Sequence, residues 1–268
     1  IDAVSPTTGR VHGKVNSNGA VTGRMTHNSP NLAQVPASYS PYGKDCRECW
    51  SVREGYKLVG FDASGLELRM LAHYMNDKEY INEVVNGDIH STNQRLAGLE
   101  SRDTAKTFIY ALLYGAGDAK LGSVVGGNQR AGKSLRERFS SNLRSFGVLR
   151  ERIQSKISYG PQMVTGLDGR LVHVRSQHSA LNTLLQSAGA IVMKQALLLL
   201  DDYAKQWKLD YRFVGNIHDE VQTEVREDQA EKFGRLAVSC IEAAGNHFNL
   251  NCPLAGEYKI GDNWYETH

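Results

Sequence analysis

Apolar side chains recur along the chain with two different spacings, and these spacings predict its first regular elements. Tyr56 to Asp62 (YKLVGFD), with the apolar residues Leu58 to Phe61 at its centre, predicts a short β-strand. Leu66 to Met75 follows it, and the three-to-four-residue spacing of Leu68, Leu71 and Met75 predicts a helix with one apolar face. A strand therefore passes directly into a helix in this part of the chain.

Further helices are predicted in the middle of the chain and further strands towards its ends. Ser101 to Tyr114 has a Ser start signal and glycine stop signals, which predict a second strong helix. The remaining predicted helices are Asn128 to Ile157, Leu181 to Leu200 and Asp228 to Ala244. Short strands are predicted in residues 1–36, and two strands about a turn in Phe213 to Val225. The pattern predicts an α+β chain, with a sheet domain built from both ends and a helical insertion between them.

Composition narrows the class of protein. Of the 268 residues, 41% are hydrophobic and 22% are charged, which excludes disorder as the dominant state. The chain contains only 6 Pro against 26 Gly, which excludes a collagen-like fibre. Its net charge of +2 says little about partners. The segment Asn128 to Ile157 is locally basic, because it carries eight Lys and Arg residues but only two Glu residues.

Cysteine spacing and the longest apolar stretch indicate in which cellular compartment the protein is expected. Cys46 and Cys49 form a C-x-x-C pair without a second pair at matching spacing, so we expect reduced thiols rather than a zinc or redox site. The stretch Ala188 to Leu200 contains Lys194 and is too short to span a bilayer, so no membrane partner is predicted. No signal peptide opens the chain, and the missing initiator Met is interpreted as a fragment or a processed product.

Two aspartates are candidates for metal chemistry. Asp62 ends an apolar strand, and Asp219 lies at the predicted hairpin turn, so both carboxylates come where a strand stops. Carboxylates in such positions suit Mg²⁺, which binds through one or two of them together with substrate phosphates. The alternative is that each is a turn residue or a helix cap. Their separation of 157 positions does not show that they meet.

The predicted helix Ser101 to Tyr114 carries a stripe of charged and aromatic residues at every fourth position. Arg102, Lys106, Tyr110 and Tyr114 make up this stripe. Two cations one turn apart suit a polyphosphate, and aromatic rings beyond them can stack on a base. A solvated helix face is the alternative interpretation.

Three motifs carry a resemblance to a known family. Asp62 to Arg69 (DASGLELR) resembles the first palm motif of family A (Pol I type) DNA polymerases. Arg102 to Gly115 resembles their fingers motif, R-x3-K-x3-[FY]-x3-YG, and His218 to Glu220 (HDE) resembles their last palm motif. The three occur in the family's order, and together they are highly specific.

Other segments extend the resemblance over nearly the whole chain. Thr22 to Arg24, Asn31 to Gln34 and Leu184 to Gly189 are similar to further family segments. The sequences at Gly87 to His90 and Gly166 to Arg170 are most similar to those of replicative polymerases of short-tailed phages.

The resemblance implies a right-hand polymerase fold. Residues 1–74 and 182–268 would form the palm with its antiparallel sheet, and residues 75–181 would form helical fingers. The family's thumb and proofreading exonuclease have no counterpart here and are expected to be absent. The implied partners are primer–template DNA and dNTPs, with a separate chain supplying thumb and exonuclease left open. The implied location is the cytoplasm of an infected bacterial cell.

The resemblance also implies a two-metal reaction. Asp62 and Asp219 would hold two Mg²⁺ ions, with the backbone carbonyl of Ala63 as a further ligand. One metal would lower the pKa of the primer 3′-hydroxyl, and the other would carry the triphosphate and steady the leaving pyrophosphate. Glu220 would lie beside the metals.

The resemblance also implies which residues contact the incoming nucleotide. The resemblance implies that Arg102, Lys106 and His90 bind the phosphates, and that Lys106 also protonates the leaving group. Tyr110 would lie near the sugar. Tyr114 would cover the templating base.

Further implied contacts involve DNA and the sugar. Arg24 and Gln186 would touch the minor groove, whose acceptors occur in every correct base pair. Gly115 and His218 would also contact DNA. Glu67 has two interpretations: the resemblance makes it the gate that blocks a ribose 2′-hydroxyl, whereas Ser64-x-x-Glu67 matches a capping box.

Two other functions compete with a DNA polymerase. A single-subunit RNA polymerase shares the palm metals and the Arg-Lys-Tyr helix, but it typically carries Gly where this chain has Glu67. A catalytically weak, polymerase-like DNA-binding module that needs a partner chain is the other, because fold likeness alone does not establish activity.

Overall fold

The computed structural model describes residues 3–268 and divides them into two compact units. We call them the sheet unit and the helical unit. The sheet unit holds the described residues up to Ser64 together with Ala190–Phe248 and Leu254–His268. The helical unit holds Gly65–Gly189 and Asn249–Pro253.

A four-stranded antiparallel sheet is the centre of the sheet unit in the described part of the chain. A small hairpin comes first, formed by β1 (Lys14–Asn16) and β2 (Thr26–Asn28). The central strands are β3 (Tyr56–Ala63), β6 (Tyr211–Ile217), β7 (Glu220–Arg226) and β8 (Gly256–Gly261), in the order β6-β7-β3-β8. Strand β3 is flanked on both sides and is mostly buried, as its apolar sequence requires.

Helix α10 (Ala230–His247) packs on this sheet. Its buried residues recur at three-to-four-residue spacing, which gives it one apolar face. The ring of Phe233 lies 6.4 Å from that of Phe61 and 5.3 Å from that of Tyr211. At Gly234 a Cβ atom would come within 2.2 Å of the Tyr258 ring, so the helix approaches β8 closely only because this residue has no side chain. Helix α1 (Gly43–Glu48) precedes β3 in the same unit.

Helices dominate the helical unit. In chain order they are α2 (Leu66–Met75), α3 (Lys78–Asn86), α4 (Ile89–Ala97), α5 (Arg102–Leu113), α6 (Asp118–Val124), α7 (Gln129–Asn142) and α8 (Arg144–Tyr159). A hairpin of β4 (Met163–Thr165) and β5 (Leu171–His173) follows. The rings of Phe108, Phe139 and Phe146 are fully buried, with successive centroids 5.5 and 5.3 Å apart, and they fix α5, α7 and α8 together.

Most predicted elements are confirmed, as is the α+β class. The predicted strand at Tyr56 to Asp62 is β3, and the predicted helix at Leu66 to Met75 is α2. Ser101 is the N-cap of α5, as its start signal indicated. The two strands about a turn are β6 and β7, and the C-terminal helix is α10.

The predicted long helical segment Asn128 to Ile157 is helical, but it is not one continuous helix. The segment forms two helices, α7 and α8, which are separated at Leu143, where φ is −121° and ψ is 80°. Beside this break the Asn142 side chain donates a hydrogen bond to the backbone carbonyl of Leu96 at 2.8 Å. Tertiary contacts of this kind, rather than a Gly or Pro in the sequence, accompany the end of α7.

Helix α9 (Ala180–Gln206) contains the long apolar stretch. With the short turn before it, the helical segment Gln177–Gln206 has 30 residues and is long and apolar enough to cross a membrane. The helix that contains Ala188 to Leu200 is therefore longer than that apolar stretch alone. However, 56% of its most apolar window is buried within the protein, as in the core helix of a soluble protein.

Candidate active site

A row of three carboxylates crosses the central sheet. Asp62, near the end of β3, is the register partner of Glu220 on β7 and of Glu257 on β8. Register partners on adjacent strands have side chains on the same face, and like charges placed opposite each other are destabilising. The sheet therefore concentrates negative charge around Asp62.

The protonation of Asp62 reflects this crowding. Burial, followed by the charges of Glu257, Asp219 and Glu220, raises the pKa of Asp62 to about 6, while His268 acts in the opposite direction. Asp219 is therefore close enough to Asp62 to affect its ionisation, although 157 positions separate them in sequence. The fold brings the two predicted aspartates into one electrostatic cluster.

Asp219 is presented by a tight turn. His218 and Asp219 form a two-residue connection between β6 and β7, which pair up to Ile217 and Glu220. His218 has a φ of 62°, and a positive φ at the first turn residue matches the twist of a hairpin. Ala63, whose carbonyl is a predicted ligand, ends β3 and is buried.

Hydrogen bonds from neighbouring side chains hold Glu220 in place. Its carboxylate accepts hydrogen bonds from Trp264 Nε1, from Gln222 Nε2 at 2.7 Å, and from His268 Nδ1 at 2.8 Å when that nitrogen is protonated. Burial acts to raise the pKa of Glu220, but these hydrogen bonds outweigh it and the pKa is lowered. Glu220 is thus ionised and fixed beside Asp62, and a cavity of about 250 Å³ lies against both.

The predicted stripe on α5 faces solvent. Arg102, Lys106 and Tyr114 are exposed and Tyr110 is half-buried. The opposite arc of the helix is buried and consists of Ala105, Phe108, Ile109 and Leu112. The division between an outer stripe and an inner arc is as the spacing indicated.

Arg102 is paired with Asp88, the N-cap of α4. Arg102 Nε lies 2.8 Å from Asp88 Oδ2, and Nη2 lies 3.1 Å from Oδ1. His90 is two residues further along α4, and its ring centroid is 6.1 Å from that of Tyr110. Burial, with the charges of Arg102 and Lys106, lowers the pKa of His90. The helical unit therefore gathers His90, Arg102 and Lys106 into one electrostatic neighbourhood.

Glu67 is bonded to Tyr114 and does not form the predicted capping box. Gly65, with a φ of 60°, is the N-cap of α2, so Ser64 lies one residue too early for that motif. The Tyr114 hydroxyl donates to Glu67 Oε1 at 3.0 Å. The capping-box interpretation of Glu67 is wrong because the helix begins one residue later than it requires.

Gly115 has a structural constraint of its own. Its φ is 77°, and a Cβ atom there would lie 2.5 Å from the carbonyl oxygen of His178.

Gln186 is half-buried on α9 in the helical unit, and Arg24 is half-buried in the sheet unit. The contact of each residue with a minor groove stays a prediction.

Comparison with known proteins decides the family. The sequence model of DNA polymerase family A matches residues 1–266. The chain belongs to DNA polymerase family A. It is 44% identical to the DNA-directed DNA polymerase of Enterobacteria phage T3 and 43% identical to that of Escherichia phage T7. Each match covers 97% of this chain and 41% of the relative, so the chain spans about two fifths of the length of these curated relatives.

The fold agrees with this family. The structure is similar to the POL domain of Pol1 from M. smegmatis, solved in complex with a DNA primer-template and dNTP. The TM-score is 0.89 at 24% identity, and the match covers 99% of this chain and 50% of the other. The prediction of a polymerase fold is confirmed.

Family A DNA polymerases are generally metal-dependent, and the donors around Asp62 suit a hard cation. The neighbouring carboxylates supply oxygen atoms, and the pKa of Asp62 is raised by burial and then by crowded negative charge, which a cation would relieve. Within residues 3–268 no group of three or more His, Cys, Asp or Glu side chains is arranged to hold a metal ion by itself. A site with two carboxylates therefore fits a metal that takes its other ligands from substrate and water.

Several residues of this family A centre were not predicted from the sequence. Glu257 was missed because strand β8 was not predicted. The residues of β8 alternate mostly between half-buried and exposed positions, which is typical of a strand with one face towards solvent. Asp88 was missed because α4 is short, although Asp followed by a helical segment is an N-cap signal. Trp264 and His268, which hold Glu220, had no local signal because their partner lies more than 40 positions away.

Proposed function

We propose that the chain is the nucleotidyl-transfer part of a DNA-directed DNA polymerase for phage-type DNA replication. It would add deoxynucleotides to a primer 3′-hydroxyl under the direction of a template. The observation that carries this proposal is the clustering of Asp62 with Asp219, two aspartates that come from motifs far apart in sequence. The phage relatives match nearly the whole chain, and their name, DNA-directed DNA polymerase, supports this proposal.

We propose that the sheet unit belongs to the palm, and that the helical unit holds the fingers together with palm residues 65–74, 182–189 and 249–253. The proposed boundaries are residues 1–74 and 182–268 for the palm and 75–181 for the fingers. The compact units support this assignment, because the antiparallel sheet carries both aspartates and the helical unit carries the stripe on α5.

Asp62, Asp219 and the backbone carbonyl of Ala63 are the residues that would hold two Mg²⁺ ions. Bound there, the metals would acidify the primer hydroxyl and stabilise the charge of the leaving pyrophosphate. Glu220 would keep a fixed negative charge next to Asp62 through its hydrogen bonds to Trp264 and Gln222.

The helical unit would bind the nucleotide. Arg102, Lys106 and His90 would contact the triphosphate, since cations one turn apart match its spacing. Lys106, which is exposed, would also donate a proton to the leaving group as a general acid. Tyr110 would lie beside the sugar, and Glu67 would exclude a ribose 2′-hydroxyl.

DNA would be contacted by residues of both units. Tyr114 and Gly115 would lie at the templating base. Arg24, Gln186 and His218 would contact the duplex near the primer end. The chain spans about two fifths of the length of its phage relatives, and we propose that thumb and exonuclease functions come from a separate segment or chain. From the phage relatives we also propose that the protein acts in the cytoplasm of an infected bacterial cell.

The test is primer extension by the purified chain with dNTPs and, in parallel, with rNTPs. We expect extension with dNTPs, and we expect Asp62→Ala and Asp219→Ala to abolish it while DNA binding and the circular dichroism spectrum are kept. The matched control is Asp202→Ala, an exposed aspartate of α9 in the same unit.

Other outcomes point to the competing functions. Extension with rNTPs at the same rate as with dNTPs would favour an RNA polymerase. DNA binding without extension, including after addition of a thumb-bearing partner, would favour a DNA-binding module. Near wild-type extension by either aspartate variant would overturn the metal assignment.

A further inference from the structure

We propose that Asp88 is a positioning residue that orients Arg102 and His90 for the triphosphate of the incoming nucleotide. This inference rests on the proposed function, in which Arg102, Lys106 and His90 bind the phosphates. It adds a residue that itself touches no substrate and whose charge is opposite to that of Arg102.

Asp88 fixes the start of α4 and thereby the backbone of His90. Its Oδ1 accepts hydrogen bonds from the backbone amides of His90 at 3.1 Å and Ser91 at 3.4 Å. Its Oδ2 also accepts the Ser91 hydroxyl at 2.7 Å. An N-cap aspartate of this kind determines the direction in which the first helical turn leaves the loop. The position of His90 at the second residue of α4 therefore depends on Asp88.

The same carboxylate fixes Arg102 at the start of α5. Both oxygens of Asp88 are used, by Arg102 Nε at 2.8 Å and by Nη2 at 3.1 Å. Two parallel bonds between a planar guanidinium and a carboxylate define the plane and direction of the arginine, which a single contact does not. Asp88 thus links two helices whose first turns carry two of the proposed phosphate ligands.

The pair leaves Arg102 able to bind a second anion. A guanidinium has five N–H donors, and the fork to Asp88 uses one on Nε and one on Nη2. Among the described residues no hydrogen bond is made by Nη1 of Arg102. The edge of the guanidinium that points away from Asp88 therefore retains donors for phosphate oxygens while the fork stays intact.

The exposure of the Asp88 and Arg102 side chains indicates that their ion pair orients Arg102 more than it stabilises the fold. The Asp88 and Arg102 side chains are 46% and 50% exposed, and ion pairs in that environment contribute little to folding. A bare negative charge at this place repels a triphosphate, whereas an oriented Arg102 attracts it. If Asp88 acts only as a negative charge, its removal should strengthen triphosphate binding. If Asp88 orients Arg102, its removal should weaken triphosphate binding.

The matched pair of variants is Asp88→Asn and Asp77→Asn. Asparagine is as good an N-cap as aspartate, so each substitution keeps its helix start, but Asp88→Asn breaks the fork because its amide nitrogen is a donor. Asp77 caps α3 in the same unit and accepts the Ser145 hydroxyl at 2.7 Å rather than a cation. It controls for capping and for the loss of one negative charge.

Two readouts are measured on the purified chain. The first is the binding of inorganic tripolyphosphate by calorimetry, which needs no turnover. The second is the division between KM for dNTP and kcat in primer extension. We expect Asp88→Asn to weaken tripolyphosphate binding by about threefold to tenfold, as the freed arginine must be ordered on binding, and to raise KM with kcat within about twofold. Asp77→Asn should leave both readouts unchanged.

Arg102→Ala and Lys106→Ala separate the possible failures. If neither weakens tripolyphosphate binding, the proposed phosphate surface itself is wrong. If both weaken it while Asp88→Asn leaves binding unchanged or tightens it, the phosphate surface stands and the positioning role of Asp88 is overturned. An equal loss in Asp88→Asn and Asp77→Asn would also overturn it, since that loss would come from capping or from charge alone.

Discussion

The Tyr114 hydroxyl donates a hydrogen bond to Oε1 of Glu67 at 3.0 Å. Tyr114 is the C-cap of α5, and Glu67 lies in the first turn of α2 within the same unit. This hydrogen bond restricts the rotamers of the Glu67 side chain, so its carboxylate can act as a fixed wall in a binding site. The contact supports the sugar-gate interpretation of Glu67 and gives the gate a second residue.

Glu67→Ala is expected to increase ribonucleotide incorporation relative to deoxyribonucleotide incorporation by at least about tenfold, because it opens the space that a 2′-hydroxyl would occupy. Tyr114→Phe keeps the Glu67 carboxylate but removes this hydrogen bond, so a smaller increase is expected. The ratio is measured by single-nucleotide extension with matched dNTP and rNTP. Glu79→Ala, which removes a first-turn carboxylate from α3, controls for helix stability. An unchanged ratio in Glu67→Ala would show that the residue is not a gate.

Gly115→Ala is expected to destabilise the chain by about 1–3 kcal/mol, because the residue has a φ of 77° and a Cβ atom would press on the His178 carbonyl. Gly117→Ala is the control, since a Cβ there meets nothing within 4 Å and its φ is −69°. Urea unfolding followed by circular dichroism measures both. Equal stability of the two variants would leave DNA contact as the explanation for glycine at 115.

The sequence predicted best those elements whose apolar face is continuous. Helix α5 was predicted with its cap, its buried arc and its outer stripe, because a 3.6-residue period and a Ser N-cap act within one element. Strand β3 was predicted from the apolar run Leu58 to Phe61 at its centre, which is typical of a strand with neighbours on both sides.

The elements that were missed are short or depend on distant partners. Helices α3 and α4 have only nine residues each, and each begins at an aspartate N-cap. The break at Leu143 has no Gly or Pro, and β8 is an edge strand bounded by Gly256 and Gly261. Local sequence therefore identified the motifs of the site, whereas the residues that hold them in place came from tertiary structure.

Stability at different pH values should report the carboxylate cluster. The pKa of Asp62 is raised from 3.8 to about 6 by burial and by its acidic neighbours. Between these values the unfolded chain loses its proton before the folded chain does, so the free energy of unfolding falls as pH rises from about 4 to about 6. The penalty is complete above that range and disappears below it.

Asp62→Asn removes this penalty. Without metal and at about pH 7, the variant is expected to be more stable than the wild type by about 1 kcal/mol, well below the roughly 3 kcal/mol of two pKa units because Asp62 is partly exposed. The difference should vanish near pH 4. Added Mg²⁺ should stabilise the wild type and not the variant. Chemical denaturation in EDTA and in Mg²⁺ measures both effects, with Asp202→Asn as the baseline, and a gap that stays constant with pH would contradict the cluster.

Tyr110 supports a prediction about chain terminators. It is the third residue of the outer stripe, one turn beyond Lys106, and its ring lies 6.1 Å from that of His90. A phenol hydroxyl between the sugar and the phosphates can replace the 3′-hydroxyl that a dideoxynucleotide lacks as a hydrogen-bond partner. The normal nucleotide brings its own hydroxyl and does not need this substitute.

Tyr110→Phe should therefore discriminate against dideoxynucleotides while it keeps most of its activity with deoxynucleotides. A hydrogen bond to a charged group contributes enough for at least about a tenfold change in the ratio of the two incorporation rates. Because both rates are measured on the same variant, a general loss of activity cancels in this ratio. Tyr159→Phe, at a side chain that is 93% exposed, shows what a remote loss of a phenol does. If both variants terminate as readily as the wild type, the Tyr110 hydroxyl does not reach the sugar, and the stripe on α5 contacts the nucleotide only through its cations.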